Sequence, residues 1–199
     1  MTEGVNKDSR AFFPALVVAI SSIDSPSLVL NIGLIDIAAT FGVSLTLAGQ
    51  IQSVTSSLGI AAALVMGAVS AKFSYKWLLL SGLALTVVSA MFCSSAPTFS
   101  LLLLSYSLIG LVVSIVGPMV FAYVGEHYPQ AERSRAVGLL SASRTLIYLG
   151  MVQVINYVVG VFGWRVIYIA LVAPLAIVGF IFALRFLPDL RAGNGNRLK

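Results

Sequence analysis

The sequence predicts an all-α membrane protein whose chain crosses the bilayer several times. Of its 199 residues, 59% are hydrophobic and only 10% are charged, and the mean hydropathy is +1.01. A soluble domain carries about 25% charged residues, so this chain has too little polar surface to cover itself in water. Apolar runs such as 101–104 and 167–174 do not alternate with polar residues, unlike the strands of a membrane barrel.

About twenty apolar residues cross a bilayer, and this length predicts six transmembrane spans. The predicted spans are 11–36, 45–71, 77–95, 100–124, 135–159 and 166–187. Residues 1–10 are predicted to be a cytoplasmic tail, and residues 188–199 a cytoplasmic tail or a linker. The connectors between spans are short, and the longest of them is predicted at 125–135.

Charge predicts the orientation of these spans. Of the 12 basic residues, only Arg165 falls on the side opposite the termini, and Arg144 lies within a span. The others are on the side of the termini: Lys7, Arg10, Lys72, Lys76, Arg133, Arg135, Arg185, Arg191, Arg197 and Lys199. Because basic loops stay in the cytoplasm, we expect an integral protein of the cell membrane with both termini cytoplasmic.

The first span is unusual because it holds a carboxylate, Asp24, in its middle. A charge at that depth is costly and marks a functional site by default. Pro26 has no N–H for the Ser22 carbonyl, so the helix must kink or satisfy that carbonyl through a hydroxyl, water or another helix. Asn31 lies two turns from Asp24 on the same helix face.

The remaining spans differ in polarity. The third and sixth are nearly free of strong polar groups, which is typical of helices that contact lipid. The second, fourth and fifth spans carry polar residues, namely Gln50, Gln52, Ser53, Ser105, Tyr106, Ser107, Arg144, Tyr148, Gln153 and Asn156. We therefore expect the first, second, fourth and fifth spans to enclose a cavity, with the third and sixth outside them.

Asp24 and Arg144 form the predicted centre of this cavity. They lie roughly 18 Å and roughly 14 Å from the same membrane face, near the centre of a hydrocarbon layer about 30 Å thick. Three interpretations remain open at this point. Asp24 is a protonation site, Arg144 binds an anionic substrate group with Asp24 as its counter-ion, or the charges only stabilise the structure as a fixed pair or a cap.

The other candidate positions extend the pathway towards the membrane faces. The full set of predicted pathway residues is Asp24, Asn31, Gln50, Arg144, Tyr148 and Asn156, and the predicted cytoplasmic gate comprises the loop residues Lys72, Lys76, Glu132 and Arg133. Taken singly, each pathway amide or hydroxyl also fits an ordinary interhelical hydrogen bond. The gate residues fit a solvated loop equally well.

The sequence argues against an enzyme. It has no nucleophile–base arrangement, phosphate loop or zinc spacing, and a single cysteine, Cys93, can form neither a disulfide framework nor a thiolate metal site. His127 is the only histidine and has no second ligand nearby. The net charge of +5 is spread over loops and tails. We therefore expect no cofactor, no metal and no nucleic-acid partner.

A short internal repeat divides the chain into two halves. Residues 73–76 open the third span and residues 162–165 open the sixth, and both read aromatic, small, aromatic, basic. They fall on opposite sides of the membrane, as an inverted repeat requires. The pattern predicts two three-helix repeats, at 11–95 and 100–187.

Three segments carry a resemblance to a known family. They are the Asp…Asn pattern of 24–31, the Pro…Glu-Arg…Gly pattern of 128–138 and the Trp-Arg pair of 163–165. Together they resemble the amino-terminal six-helix half of a major facilitator superfamily transporter. The resemblance implies a 3+3 inverted-repeat bundle that moves a small organic molecule by alternating access. The Asp…Asn pattern is similar to that of drug–proton antiporters, which adds proton-coupled efflux as one option for the mode of transport.

The sequence departs from that family at several positions. The family's Gly-x-x-x-Asp-Arg-x-Gly-Arg-Arg loop is eroded, Tyr106 replaces the fourth-helix arginine, and Gly150-Met151 replaces a Gly-Pro motif. In that loop Gly67, Lys72 and Lys76 are retained, while Ala71, Ser74 and Tyr75 replace the Asp, the Gly and the first Arg. These departures favour the alternative function, a non-transporting membrane scaffold or assembly partner.

The resemblance also implies partners, since substrate binds between two halves of such a transporter. We expect the lipid bilayer, a small-molecule substrate and a second six-helix half. That half is either a parallel homodimer partner or the C-terminal half of a longer protein. The initial Met1 and the uninterrupted last span slightly favour the homodimer.

Overall fold

A computed structural model describes residues 7–70 and 72–190, with side chains from residue 12 onward. Within these residues it has 6 helices long and apolar enough to cross a membrane, and no strand. They are α1 (Lys7–Phe41), α2 (Leu45–Ser70), α3 (Tyr75–Ser95), α4 (Phe99–His127), α5 (Gln130–Phe162) and α6 (Trp164–Phe186), the last with a π-helical turn at Tyr168–Val172. This confirms the predicted all-α membrane fold.

Several helices extend beyond the predicted spans. α1 begins within the predicted tail and ends at Phe41 instead of residue 36. At 1.5 Å per residue, its 35 residues are roughly 52 Å long, well beyond a hydrocarbon layer of about 30 Å. Its ends therefore lie where polar residues are tolerated, and hydropathy detects only the apolar middle. The other residues of the predicted tails, 1–6 and 191–199, lie outside the described residues, as does Ala71.

The predicted connector at 125–135 is almost absent from the structure. α4 continues to His127 and α5 begins at Gln130, where the Pro129 carbonyl accepts the first hydrogen bonds of α5 from the N–H groups of Glu132 and Arg133. Glu132 and Arg133 consequently lie in the first turns of α5, and Lys76 lies in α3. Their predicted placement in loops was wrong, and of the proposed gate residues only Lys72 is in a connector.

Short polar caps and glycines mark the helix boundaries. The hydroxyls of Ser74 and Thr98 accept hydrogen bonds from the first turns of α3 and α4. Gly42 and Gly163 end α1 and α5 with φ of 63° and 82°, a conformation that side chains disfavour. These signals produce sharp reversals between long helices.

α1 stays helical through Pro26 because a hydroxyl replaces the missing donor. The Ser25 hydroxyl donates to the Ser22 carbonyl at 2.9 Å, which is the carbonyl that Pro26 cannot reach with an N–H. The Ser22 hydroxyl in turn donates to Val18 in α1 at 2.7 Å and to Leu175 in α6 at 3.1 Å. Of the alternatives that the sequence left open, a hydroxyl satisfies this carbonyl, and the Ser22 hydroxyl joins α1 to α6.

The helices pack in a pattern that relates the two halves of the chain. α2 packs on α4 as α5 packs on α1, and α3 packs on α4 as α6 packs on α1, while α3 and α6 pack on each other. These main contacts are unchanged when α1–α3 are exchanged for α4–α6. They support the predicted division into two three-helix repeats, which stays a prediction.

Two apolar clusters fill the bundle. One includes Phe12, Leu79 and Tyr123 and lies towards the end that carries the connectors α2–α3 and α4–α5. We call this the basic end, defined by Lys72, Lys76, Arg133, Arg135 and Arg185. The second cluster includes Ile37, Ile51 and Tyr168 and lies towards the opposite end. Asp24, Gly110 and Arg144 lie between the two clusters in sequence on α1, α4 and α5, so polar groups concentrate at mid-height.

Arg165 holds the opposite end together. Its guanidinium donates to the Ala96 carbonyl at 2.8 Å and lies 5.3 Å from the Phe41 ring centroid and 4.6 Å from that of Trp164. The Trp164 indole donates to Thr40 at 3.2 Å. Hydrogen bonds to charged donors and cation–π contacts each stabilise such junctions. Arg165, the one basic residue at this end in the part of the chain that the structure describes, thus stabilises the packing of α1, α3 and α6.

α2 and α4 cross with their backbones in contact at a pair of glycines. A Cβ built on Gly59 would lie 3.1 Å from the Gly110 carbonyl oxygen, and one on Gly110 would overlap the Thr55 carbonyl. Small residues allow this close approach in membrane bundles. The crossing forms one wall of the cavity described below, so its position affects the candidate site.

Replacing Gly110 with alanine is therefore expected to push α2 away from α4. We expect Gly110→Ala to destabilise the protein by about 1–3 kcal/mol, as overpacking does elsewhere. The temperature of unfolding in detergent can be followed with a thiol-reactive dye, because Cys93 is buried. Gly150→Ala is the control, since no atom lies within 4 Å of its added Cβ. Equal stability of the two variants would contradict the close crossing.

Candidate functional site

Asp24 and Arg144 form an ion pair that joins α1 to α5. The Arg144 Nε donates to Asp24 Oδ2 at 2.6 Å, and Nη2 donates to Oδ1 at 2.6 Å. Two parallel hydrogen bonds of this kind are the strongest geometry for an arginine and a carboxylate. It is the only ion pair found among the side chains that the structure describes.

The pair lies near mid-height in the bundle. Asp24 is at the midpoint of α1, and Arg144 lies in the middle third of α5. The Asp24 side chain is 12% exposed and the Arg144 side chain is 43% exposed. The carboxylate is thus enclosed by the protein, whereas the guanidinium reaches an open space.

That space includes a cavity of about 560 Å³ with polar and apolar walls. Its lining comes from α1, α2, α4 and α5, and α3 and α6 contribute none of it. The polar lining consists of Asp24, Ser27, Gln52, Thr55, Ser56, Ser114 and Arg144, and the apolar side includes Ile23, Ile60, Ala63, Ile109 and Val113. A small amphipathic molecule fits this combination of volume and lining.

Arg144 also lines a second, smaller cavity. It has a volume of about 260 Å³ and is lined by Arg144 together with Ser141, Thr145 and Tyr148, all from α5. The Thr145 hydroxyl donates to the Ser141 carbonyl at 3.0 Å. Arg144 therefore contributes to both cavities.

The predicted pathway residues separate into two groups in the structure. Asp24, Arg144 and Tyr148 line one or both of the cavities, whereas Asn31, Gln50 and Asn156 are exposed and line neither. The predicted gate residues lie at the basic end, away from the ion pair. There, Arg133 donates to the Tyr128 carbonyl at 3.0 Å, and no ion pair joins the described gate residues to one another.

α1, α2 and α5 carry a set of exposed polar side chains, which we call the open face. It comprises Asn31, Gln50, Gln52, Ser53, Ser56, Ser57, Ser141, Thr145, Tyr148, Gln153 and Asn156 on α1, α2 and α5. By contrast, the exposed side chains of α3 and α6 are mainly apolar, including Met91, Phe92, Ile177, Ile181 and Leu184. Polar groups at membrane depth face a cavity or a protein partner and not lipid. The open face is therefore the side on which the site can be closed.

Sequence reasoning missed the two glycines that shape the larger cavity. Gly59 and Gly110 lie 51 positions apart on different helices, and their contact exists only because α2 crosses α4 there. A glycine within an apolar span is a general signal for close packing. Nothing in the sequence paired these two.

Comparisons with known proteins agree with this architecture. Residues 15–199 match the sequence profile of the Major Facilitator Superfamily. Over 151 residues the chain is 25% identical to a Bacillus subtilis (strain 168) protein described as "Uncharacterized MFS-type transporter YwfA", covering 76% of this chain and 37% of that protein. Over 157 residues it is 26% identical to the Pseudomonas aeruginosa "Transcription regulatory protein OpdE", covering 79% of this chain and 39% of that protein.

The chain spans less than half the length of these curated relatives. The profile nevertheless covers nearly all of the described residues, and the superfamily is one of transporters and not of enzymes. The apolar helices, the site between α1, α2, α4 and α5, and the profile agree: the chain belongs to the Major Facilitator Superfamily.

Proposed function

We propose that this chain is one half of a secondary transporter that moves a small organic molecule across the membrane by alternating access. The observation that carries the proposal is the Asp24–Arg144 ion pair at mid-height on the wall of a cavity of about 560 Å³. A charge in the membrane interior is costly and is placed there mainly for function. The mixed lining of the cavity suits a small amphipathic solute.

The ion pair also offers a route to proton coupling. Both Asp24 oxygens are held by Arg144, so any event that draws the guanidinium away leaves a carboxylate enclosed by protein. An enclosed carboxylate without a partner is stabilised by taking up a proton. Asp24 would thus exchange its arginine for a proton during transport, and a reversed exchange would release that proton. The solute moves with the proton if both are bound during the same crossing step. It moves against the proton, as in efflux, if they are bound in opposite crossing steps.

A second half is expected to cover the open face. Polar residues such as Gln153 and Asn156 are exposed there, at a depth where lipid would otherwise surround them. The second half is either another copy of this chain in parallel orientation or a C-terminal half of a longer protein. The mass of the protein in mild detergent separates these, since a homodimer has about twice the chain mass of 21.0 kDa.

The basic end is proposed to face the cytoplasm. Lys72, Lys76, Arg133, Arg135 and Arg185 lie there, and Arg165 lies at the opposite end. Basic residues are retained on the cytoplasmic side during insertion. Both ends of the chain would then be cytoplasmic.

Flux measurements in proteoliposomes test the proposal. Purified protein is reconstituted and exposed to labelled organic anions, amines and neutral solutes, with and without a pH gradient. We expect uptake of at least one class above protein-free liposomes, and a pH gradient should change its rate. Asp24→Asn should abolish the effect of the gradient while the protein remains folded. Absence of uptake for every class, in protein that retains a cooperative unfolding transition, would contradict a transport function.

A second candidate function is a membrane scaffold or regulatory partner without transport activity. Two observations favour it: one relative is described as a transcription regulatory protein, and the connector at 72–74 lacks the family's loop pattern. Under this alternative the ion pair would only stabilise α1 against α5. It predicts that neutralising both charges together leaves every measurable activity unchanged.

A further inference from the structure

The two members of the ion pair are not equally available to a ligand. Both Asp24 oxygens accept hydrogen bonds from Arg144, and the Asp24 side chain is only 12% exposed. A guanidinium has five N–H donors, of which Asp24 occupies two. No other hydrogen bond from Arg144 is found among the described residues, and its side chain is 43% exposed. A solute that enters the cavity therefore meets an accessible cation in front of a shielded anion.

The groups next to Arg144 also favour a ligand with a negative charge. Ser141, Thr145 and Tyr148 line the cavity of about 260 Å³ together with Arg144. The Thr145 O–H is taken by the Ser141 carbonyl, but the Ser141 and Tyr148 hydroxyls can donate hydrogen bonds to an anion, and no Asp or Glu side chain lines this cavity. An ammonium group entering here would meet the arginine charge with no carboxylate to receive it.

The lining of the larger cavity indicates the chemistry of the rest of the ligand. The apolar part of this lining includes Ile23, Ile60, Ile109 and Val113, with Gly59 and Gly110 at the close helix crossing. A carboxylate matches the planar fork of arginine better than a spherical anion does. An apolar body next to that carboxylate would contact this apolar lining.

We infer that Arg144 is the residue of the pair that contacts the substrate, and that the substrate is an organic anion with a carboxylate on an apolar body. The inference rests on the proposed transport function for its biological meaning, but it concerns binding and can be tested without flux. Asp24 is then the counter-ion that neutralises Arg144 in the empty site.

Three naphthalene probes with the same ring test the inference: 2-naphthoate, 2-naphthamide and 2-naphthylmethylamine. Binding to the full chain in lipid nanodiscs is measured by equilibrium dialysis, and ligand-induced stabilisation by the dye that reacts with Cys93 on unfolding. We expect the naphthoate to bind at least tenfold more tightly than the other two. Equal binding of the three, tighter binding of the amine or no binding of the naphthoate would overturn the inference.

Variants show whether Arg144 is responsible. Arg144→Gln should remove the preference for naphthoate, and Arg144→Lys should retain only part of it because lysine lacks the planar fork. Arg185→Gln removes the same charge from the exposed basic end and should leave the preference intact. A preference that survives in Arg144→Gln would overturn the assignment.

Asp24→Asn separates an anion site from a cation site. It frees at least one more N–H donor of Arg144, because the asparagine keeps only one oxygen that can accept, so naphthoate binding should be kept or strengthened at least twofold. A site for cations would instead lose binding in this variant. Uptake of the amine alone in proteoliposomes would refute an anionic substrate but would still support the transport function. Binding of naphthoate without any flux would support the anion site but would contradict the transport function.

Discussion

Asp24→Asn and Arg144→Gln, made separately, are each expected to destabilise the protein by about 2 kcal/mol, whereas the double variant should regain most of that loss. The pair is intermediate between exposed pairs, worth roughly 0–1 kcal/mol, and buried pairs, where removing one partner costs about 3–5 kcal/mol. Asp24 is largely enclosed and Arg144 is half-exposed, which places the pair between these limits. Removing one charge leaves the other charge without its partner, whereas removing both charges leaves no unpaired charge in the bundle.

The readout combines stability with transport. Unfolding temperatures of the wild type, the two single variants and the double variant form a cycle that isolates the interaction between the two side chains. Flux measured on the same samples is expected to fall to the level of empty liposomes in the double variant, although its stability recovers. A double variant that is both stable and fully active would show that the pair is purely structural.

Leu149→Trp is expected to reduce flux at least tenfold with little change in the unfolding temperature of the bundle itself. Leu149 is 58% exposed on α5, one residue from Tyr148 and one turn from Thr145 on the open face. If a second half packs here, the larger side chain must be accommodated in a close-packed interface, where overpacking costs about 1–3 kcal/mol. A change of 1.4 kcal/mol in the closed state alone corresponds to a tenfold change in its population.

A matched substitution on the lipid-facing side controls for size. Ile181 is 56% exposed on α6, where lipid chains can rearrange around an added ring. Ile181→Trp should therefore leave flux within about twofold of the wild type. If the two tryptophan variants behave alike, the side of α5 that carries Leu149 contacts lipid and does not receive a second half.

Composition and hydropathy were sufficient for the fold class and the approximate helices. Apolar stretches such as 77–95 and 100–124 match α3 and α4 closely, because the bilayer demands long apolar helices whatever the tertiary contacts. The same reasoning failed at helix ends outside the hydrocarbon layer. It placed Glu132 and Arg133 in a loop, although polar residues are compatible with a helix that extends into water.

The candidate site was only partly accessible to sequence reasoning. Asp24 and Arg144 stood out because charges in apolar spans are rare. Asn31, Gln50 and Asn156 were selected by the same polarity argument, but they lie on the open face and line neither of the two cavities described. The polarity of a residue within a span indicates that its side chain is not in contact with lipid. It does not indicate which cavity or which protein partner that side chain contacts.

By itself, the sequence determined a bundle of long apolar helices with one acid and one arginine near mid-membrane, because burial in lipid constrains each helix separately. Only the tertiary structure decided that these charges meet, that Arg144 is the exposed member, and that Gly59 and Gly110 bring α2 and α4 into contact beside them. These features depend on which faces of distant helices pack together. That choice reflects the shape and volume of whole surfaces and is not encoded in any one span.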